Sequence, residues 1–384
     1  MPSARLALAW LVALSGGLTT ARVFAQADSA SDLTEAGFAC APRLQLRHPH
    51  ACGGLGPGGR LAEFAQQGLL PERPLPVQPI DPALAYLPYL YLRVSDAGAP
   101  LYPSLEEALA GINVLRTIEP GYVFLSWIDR FEGEAGVVYQ IDGGVYIRGD
   151  DVSQISTPTF HGLAFEANPT RPFGWILGTV QPAYFPGGQP IPDRYMYRYQ
   201  IVQIYDRAEA GDLQWYMVGP DEWVEGRLIA RVDPDPAPPP GVPADRWISV
   251  NLYEQTLMVY EGGRLRYATL VSSGLRGWWT RPGAFQVYAK LERDHMAGAF
   301  EADRSDYYYL EDVPWVLYYD EARALHGAYW HNGFGYPRSH GCLNLAPTDA
   351  HWLYEWAEEG TWVYVWDASG ETPTDPAAYG EGGA

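Results

Sequence analysis

The chain has 384 residues, more than one hydrophobic core usually serves, so two or more domains with terminal segments are expected. Hydrophobic residues at 47% and aromatics at 14% exclude a chain disordered throughout, and the 14 Trp and 27 Tyr favour strands over helices. The formal net charge is -20 and Lys290 is the single lysine, so no basic patch exists to neutralise a run of phosphates; this argues against nucleic acid as a partner, and the acidic excess reads as solubilising.

Residues 1–27 read as a secretory signal: Arg5, an apolar run at 6–14, then small residues around Ala25, Gln26 and Ala27. The run is shorter than the roughly 20 apolar residues of a spanning helix, so the expectation is an exported protein, in the cell wall, periplasm or medium, with no integral membrane domain after cleavage. Residues 28–84 form a Pro- and Gly-rich lead-in with one helical pattern at 61–70. Cys40 and Cys52 lie close together in its loop-like part and are expected to pair as a local disulfide, which leaves Cys342 as the odd thiol.

Residues 85–232 are a β region, with short aromatic and β-branched runs separated by Gly and Asp at 86–152 and 195–232. The two stretches end alike: VYQI at 138–141 leads to VYIRG at 145–149, and WYMV at 215–218 leads to WVEGR at 223–227. Each reads as a strand, a tight turn and another strand, which resembles bacterial SH3-like modules; one irregular β domain is the alternative. Residues 233–246 begin DPDPAPPPGVP, cannot pair as a central strand, and read as a stiff linker at the main domain boundary.

Residues 247–367 read as a second β domain. Strands are expected at 247–252, where apolar residues alternate, and at 255–260, 267–272, 284–290, 315–319 and 362–366, with the one convincing helical pattern of this half at 348–358. The Gly-, Pro- and acid-rich residues 368–384 read as a disordered tail. The fold class is therefore mainly β, with short helices.

Between 325 and 345 the sequence LHGAYWHNGFGYPRSHGCLNL gathers His326, His331, His340 and Cys342 in one loop-rich segment. A thiol is a strong nucleophile only as thiolate, so it needs a base within reach, and histidine titrates in the right range. Gly341 allows the tight turn that aims backbone amides around Cys342 at one carbonyl oxygen. His340, beside that glycine, is constrained, whereas His326 reaches the sulfur from another point of the loop. Three His and one Cys also suit zinc, but there is no second thiol and no finger spacing, so no metal or other cofactor is expected.

His326-Gly327, a short spacer and Ser339-His340-Gly341-Cys342-Leu343-Asn344 resemble the signature of the YkuD-type L,D-transpeptidases. The resemblance covers roughly 247–366 and includes a Thr-Pro-x-Gly-like turn, here Thr280-Arg281-Pro282-Gly283, into which Arg281 is inserted. It implies a β-sandwich catalytic domain with short helices, while the β region before it keeps both readings, SH3-like modules or one irregular domain. It further implies Cys342 as nucleophile and His326 as base with its ring oriented by the Gly327 carbonyl. His340, Gly341 and Cys342 would frame an oxyanion hole, and Ser339 and Asn344 would stabilise the loop or contact the donor peptide. The implied reaction is acyl transfer from a peptidoglycan tetrapeptide stem with release of D-alanine, giving a 3-3 cross-link or another amide.

Several side chains admit two readings. His331 either lines the donor groove or hydrogen-bonds within its own loop; Arg338 either binds a substrate carboxylate or is a solvated surface group. Trp278 and Trp279 either wall the site or pack in the core. Rival functions are an L,D-carboxypeptidase or another cell-wall cysteine hydrolase, and a non-catalytic wall-binding protein. Papain-like hydrolases place Cys before His, the reverse of the order here, and the intact His-Cys signature argues against a binding module alone.

Overall fold

The computed structural model describes residues 64–66, 68–69, 73–299, 301 and 303–379. The signal at 1–27, Cys40 and Cys52 with their expected disulfide, and residues 380–384 lie outside the described residues. The chain divides into two compact units, 1–73 and 74–384; of the helical pattern expected in the first, residues 64–66 are described and are helical. Among the described residues no helix is long and apolar enough to cross a membrane.

The second unit is mainly β and is built on two large sheets. One has seven strands in the order Val77–Gln78, Leu163–Phe165, Arg264–Leu270, Thr256–Glu261, Arg246–Asn251, Trp362–Trp366 and Gly283–Gln286. The other runs from Leu343–Leu345 through Arg323–Gly327, Tyr308–Asp320 and Tyr122–Gly133 to the strands between 90 and 154. Ile248, Val250, Leu257, Val259, Val363 and Val365 of the first sheet meet Leu317, Tyr319, Leu325, Leu343 and Leu345 of the second in one core, closed by Ala350 and Leu353 of the helix Pro347–Trp356. This is the sandwich expected for the C-terminal half.

The first sheet is buried on both faces. Trp247, Met258, Tyr260 and Ala268 point away from the sandwich core and pack on Phe160, Phe165, Phe173, Trp175 and Val232 from the preceding region. Hence Arg246–Asn251, expected to alternate, is buried at every position after Arg246.

The two halves share both sheets. Leu163–Phe165 adds to the edge of Arg264–Leu270, and Tyr122–Gly133 runs parallel to Tyr308–Asp320 with Tyr308 opposite Tyr122 and Leu310 opposite Phe124. The Pro-rich run that the sequence places at a domain boundary folds along the first sheet: Val242 is buried in its outer core and the Asp235 N–H donates to Tyr260 Oη at 3.0 Å. The two repeat-like stretches do end alike. Each has a hairpin followed by a 3-10 turn (Gly149–Asp151; Gly226–Leu228) and a short strand (Val152–Gln154; Ile229–Val232), but the first hairpin is itself closed by a further 3-10 turn, Asp142–Gly144, and the likeness does not establish SH3-like modules.

Two expectations are corrected. The single strand expected at 284–290 is two, Gly283–Gln286 in the first sheet and Ala289–Gly298, which forms a long hairpin with Tyr308–Asp320 in the second; KLERDH shows no apolar periodicity because both faces of that strand are largely wet. The tail expected to be disordered from 368 is folded as far as Tyr379: Asp367 accepts bonds from the backbone and hydroxyls of Ser369 and Thr372, and Tyr379 lies under Arg323, 5.4 Å from its ring centroid.

Helix and sheet are clamped by Asp349. Its Oδ1 accepts from the Gly162 N–H at 2.8 Å and the Tyr267 hydroxyl at 2.7 Å, and its Oδ2 from the Thr269 hydroxyl. Gly162 is required here, since a Cβ would stand 2.3 Å from the Ala268 carbonyl oxygen. Burial outweighs these bonds and pushes the Asp349 carboxyl up to about 6. A folded-state value above the ordinary 3.8 means that its stabilising contribution is complete below about pH 4 and is lost as pH rises through about 6. Asp349→Asn, which cannot ionise, should therefore be the less stable protein near pH 4 and should gain on the parent by up to about 3 kcal/mol by pH 8. Urea midpoints of the two proteins across pH 4–8 check this; a constant difference would show that the folded-state Asp349 carboxyl is not raised above its ordinary value.

Candidate active site

Arg323–Gly327 is paired on one side with Tyr308–Asp320 and on the other, in parallel, with Leu343–Leu345, with Leu325 opposite Leu343 and His326 opposite Asn344. Side chains alternate along a strand, so the leucines enter the sandwich core while Ala324, His326, Cys342 and Asn344 share the opposite face. His326 and Cys342, separated by a long loop, thus stand on one face of adjacent strands.

Cys342 is 2% exposed and packs among Tyr308, Val313, Val316, Ala324 and Tyr329. Its Sγ accepts the Ala324 N–H at 3.4 Å and directs its own proton toward the Ala322 carbonyl at 3.8 Å. Burial drives the thiol up to about 11, against the pull of the Ala324 N–H and the Arg323 charge. His326 is 2% exposed and is pushed down to about 4 by burial, against the hydrogen bond of Nδ1 to the Gly327 carbonyl at 3.5 Å. That bond puts the ring proton on Nδ1 and leaves Nε2 bare. The resting pair near neutral pH is consequently a neutral thiol and a neutral imidazole.

Thr280, 1% exposed, accepts the Gly274 N–H and donates to the Gly341 carbonyl, both at 2.9 Å. Ser339 Oγ donates to the Cys342 carbonyl at 2.6 Å and accepts the Gly341 N–H at 3.1 Å, so it braces the turn, and one of the amides expected at the oxyanion hole is engaged with it. Gly341 has φ +125°, which a side chain would strain. The His340 ring stacks on Tyr308, centroids 5.1 Å apart, and meets the edge of Trp278 at 4.5 Å. Sandwiched there, it shapes the turn, and Trp278 is its partner.

His331 is held inside the protein: Nδ1 accepts the Gly333 N–H at 3.1 Å and Nε2 faces the Asn344 amide at 3.0 Å. Arg338 is exposed and lies across Gly333, where a Cβ would collide with its Nε. Among the described residues no group of three His, Cys, Asp or Glu is arranged to hold a metal.

Two features escape sequence reading. Arg281, the residue inserted in the turn, forms a two-pronged ion pair with Asp320, which also binds Arg323 at 3.1 Å; Asp320 and Arg323 are 2% and 3% exposed, beside Gly341. The inserted arginine itself is the signal for this network. The loop between His326 and Cys342 is also braced from the preceding region: Tyr199 Oη donates to the Asn332 carbonyl at 2.9 Å, Arg198 to the Phe334 carbonyl at 3.2 Å, and Tyr336 Oη to the Leu177 carbonyl at 3.3 Å. Contacts across so much sequence leave no local pattern.

Residues 245–365, which hold all of this chemistry, match the family model described as YkuD, L,D-transpeptidase catalytic domain. The segment is a YkuD-type L,D-transpeptidase catalytic domain. It is similar to the "Putative L,D-transpeptidase YciB" of Bacillus subtilis (strain 168), 27% identical over 138 residues that cover 31% of this chain and 64% of the relative. Among solved structures it is similar to the catalytic domain of the L,D-transpeptidase from E. faecium, at 28% identity over 32% of this chain and 97% of that one with a TM-score of 0.29. It is likewise similar to an L,D-transpeptidase from Stackebrandtia nassauensis, at 28% identity over 35% and 60% with a TM-score of 0.27. The chain thus spans about two thirds of the curated relative it matches, and the YkuD domain accounts for about a third of the chain.

The neutral resting pair has a measurable signature. Alkylation of Cys342 by iodoacetamide should rise with pH well past the 8.5 of a free thiol, toward about 11. A profile saturating below pH 7 would mean a preformed thiolate and would overturn this description of the site.

Proposed function

We propose that the protein is an exported peptidoglycan L,D-transpeptidase acting by cysteine acyl transfer. What supports this reading is His326 on one strand and Cys342 immediately before its parallel neighbour Leu343–Leu345, within a segment that matches the YkuD family model. In the proposed reaction Cys342 Sγ attacks the carbonyl of the third residue of a tetrapeptide stem as its proton passes to His326 Nε2. Collapse of the tetrahedral intermediate breaks the peptide bond, and the departing D-alanine amine takes the proton from His326. A thioester remains on Cys342. The amine of a third residue in another stem then attacks it, losing a proton to His326, and the thiol is regenerated with a 3-3 amide formed. Each step uses only the thiol, the imidazole and backbone amides.

The dry surroundings that keep both groups neutral also suit this sequence, since no charge is stored in the resting site and the imidazolium forms only while a neighbouring negative charge develops. Secretion fits the substrate, which lies outside the cytoplasm.

Mass spectrometry of the protein with a defined tetrapeptide tests the reading. A protein adduct of the tripeptide acyl group, loss of D-alanine and a 3-3 dimer are expected; free tripeptide alone would replace transfer by carboxypeptidase activity. Folded Cys342→Ala should form no adduct, and His326→Ala should acylate about a hundredfold to ten-thousandfold more slowly. Parental D-alanine release by Cys342→Ala would refute the assignment of the nucleophile.

A further inference from the structure

We propose that His331 is a positioning residue that fixes the side-chain amide of Asn344 with its NH2 group turned to the reacting face, where it donates to an oxygen of the bound acyl donor. The inference rests on the acyl-transfer reading above for the identity of that donor, but the orientation follows from the protein alone.

His331 Nδ1 accepts the Gly333 N–H at 3.1 Å. An accepting Nδ1 carries no proton, so in the neutral ring the proton is on Nε2. Burial, aided by the Arg338 charge, presses the ring down to about 3, which keeps it neutral. The Asn344 amide atom 3.0 Å from Nε2 is placed as Nδ2, which cannot accept Nε2–H, so the amide's nitrogen and oxygen must be exchanged to set Oδ1 there as the acceptor. Oxygen and nitrogen of an asparagine amide have nearly the same shape, so the network decides which is which. With Oδ1 toward His331, both histidine nitrogens are bonded. The opposite arrangement sets the Gly333 N–H against an Nδ1–H and strands a buried carbonyl oxygen.

The other end of the amide has no partner, although Asn344 is 3% exposed. A buried amide end with an open hydrogen bond is costly unless something else fills it. Asn344 is paired with His326 in the parallel ladder and shares the face of Cys342, two residues before it, so the open NH2 lies beside the reacting groups. The backbone of Asn344 is meanwhile pinned by reciprocal bonds with Ser272 at 2.9 and 3.0 Å, which leaves the side-chain torsions as the freedom that His331 removes. The imidazole is itself wedged between Phe334 and Trp330, with centroids 5.0 and 6.1 Å away.

The test combines a spectroscopic and a kinetic arm on the full chain. Long-range 1H–15N spectra of histidine-labelled protein should show His331 protonated at Nε2 and bare at Nδ1 from pH 5 to 8. Asn344→Asp retains an acceptor for Nε2–H but has no NH2, so it should keep that signature while acylation by the tetrapeptide falls about tenfold or more, the loss of one hydrogen bond to substrate. His331→Phe should slow acylation similarly with Cys342 alkylation unchanged, and His331→Gln, which can still donate to Asn344, should recover part of the loss. A ring protonated at Nδ1 overturns the proposal, as does parental acylation by folded His331→Phe or Asn344→Asp. A parent that releases no D-alanine while His331 keeps the Nε2 proton would refute the proposed reaction and leave the amide orientation standing.

Discussion

The active face depends on the register of one short parallel pairing, Leu325 against Leu343. Three residues of Leu343–Leu345 are all that carry it, and a shift of that strand by one would turn Cys342 and Asn344 toward the sandwich core and Leu343 and Leu345 outward, while His326 keeps its face through the pairing of its own strand with Tyr308–Asp320. The register is secured from both sides. Leu343 and Leu345 lose their burial if it slips, and Asn344 is held on the far edge by Ser272. The proposed catalytic pair, His326 and Cys342, is therefore positioned by hydrophobic residues of the sandwich core.

Around that pairing the chain spends polar groups to hold a dry site rigid. Asp320 gathers two arginines beneath the Gly341 turn, Thr280 and Ser339 tie the turn's carbonyls, and Tyr199, Arg198 and Tyr336 hold the intervening loop to the preceding region. Buried ion pairs of this kind add little net stability but resist rearrangement, because losing one partner strands a charge. Dryness has a chemical consequence as well: it separates the proton affinities of Cys342 and His326 so that both stay uncharged near neutral pH.

What could be read in the sequence divides along the same line. The turn Ser339-His340-Gly341-Cys342 and His326-Gly327 are local and chemically dense, and the helix Pro347–Trp356 and most strands of 245–365 follow hydrophobic period. Arg246–Asn251 misled only in being buried on both faces, which depends on aromatic residues far upstream. Ala289–Gly298 carries no pattern because its side chains are wet, and the 368–379 segment is fixed by Asp367 and Arg323 despite a composition that suggests disorder. The part of His331 became visible only once Gly333 and Asn344 were placed on either side of its ring.

The parallel pairing of Tyr122–Gly133 with Tyr308–Asp320 also orders events in time. The Ser126 amide and the Glu311 carboxylate that it binds at 2.9 Å are 185 residues apart. Emerging first, the upstream strand waits through nearly half of the chain's synthesis before its neighbour exists, and the closure of so long a loop is slow. The catalytic sheet is then laid down against an edge that is already folded. Cut at the start of the YkuD domain, the chain would present that edge bare, as an adhesive border for other copies of itself.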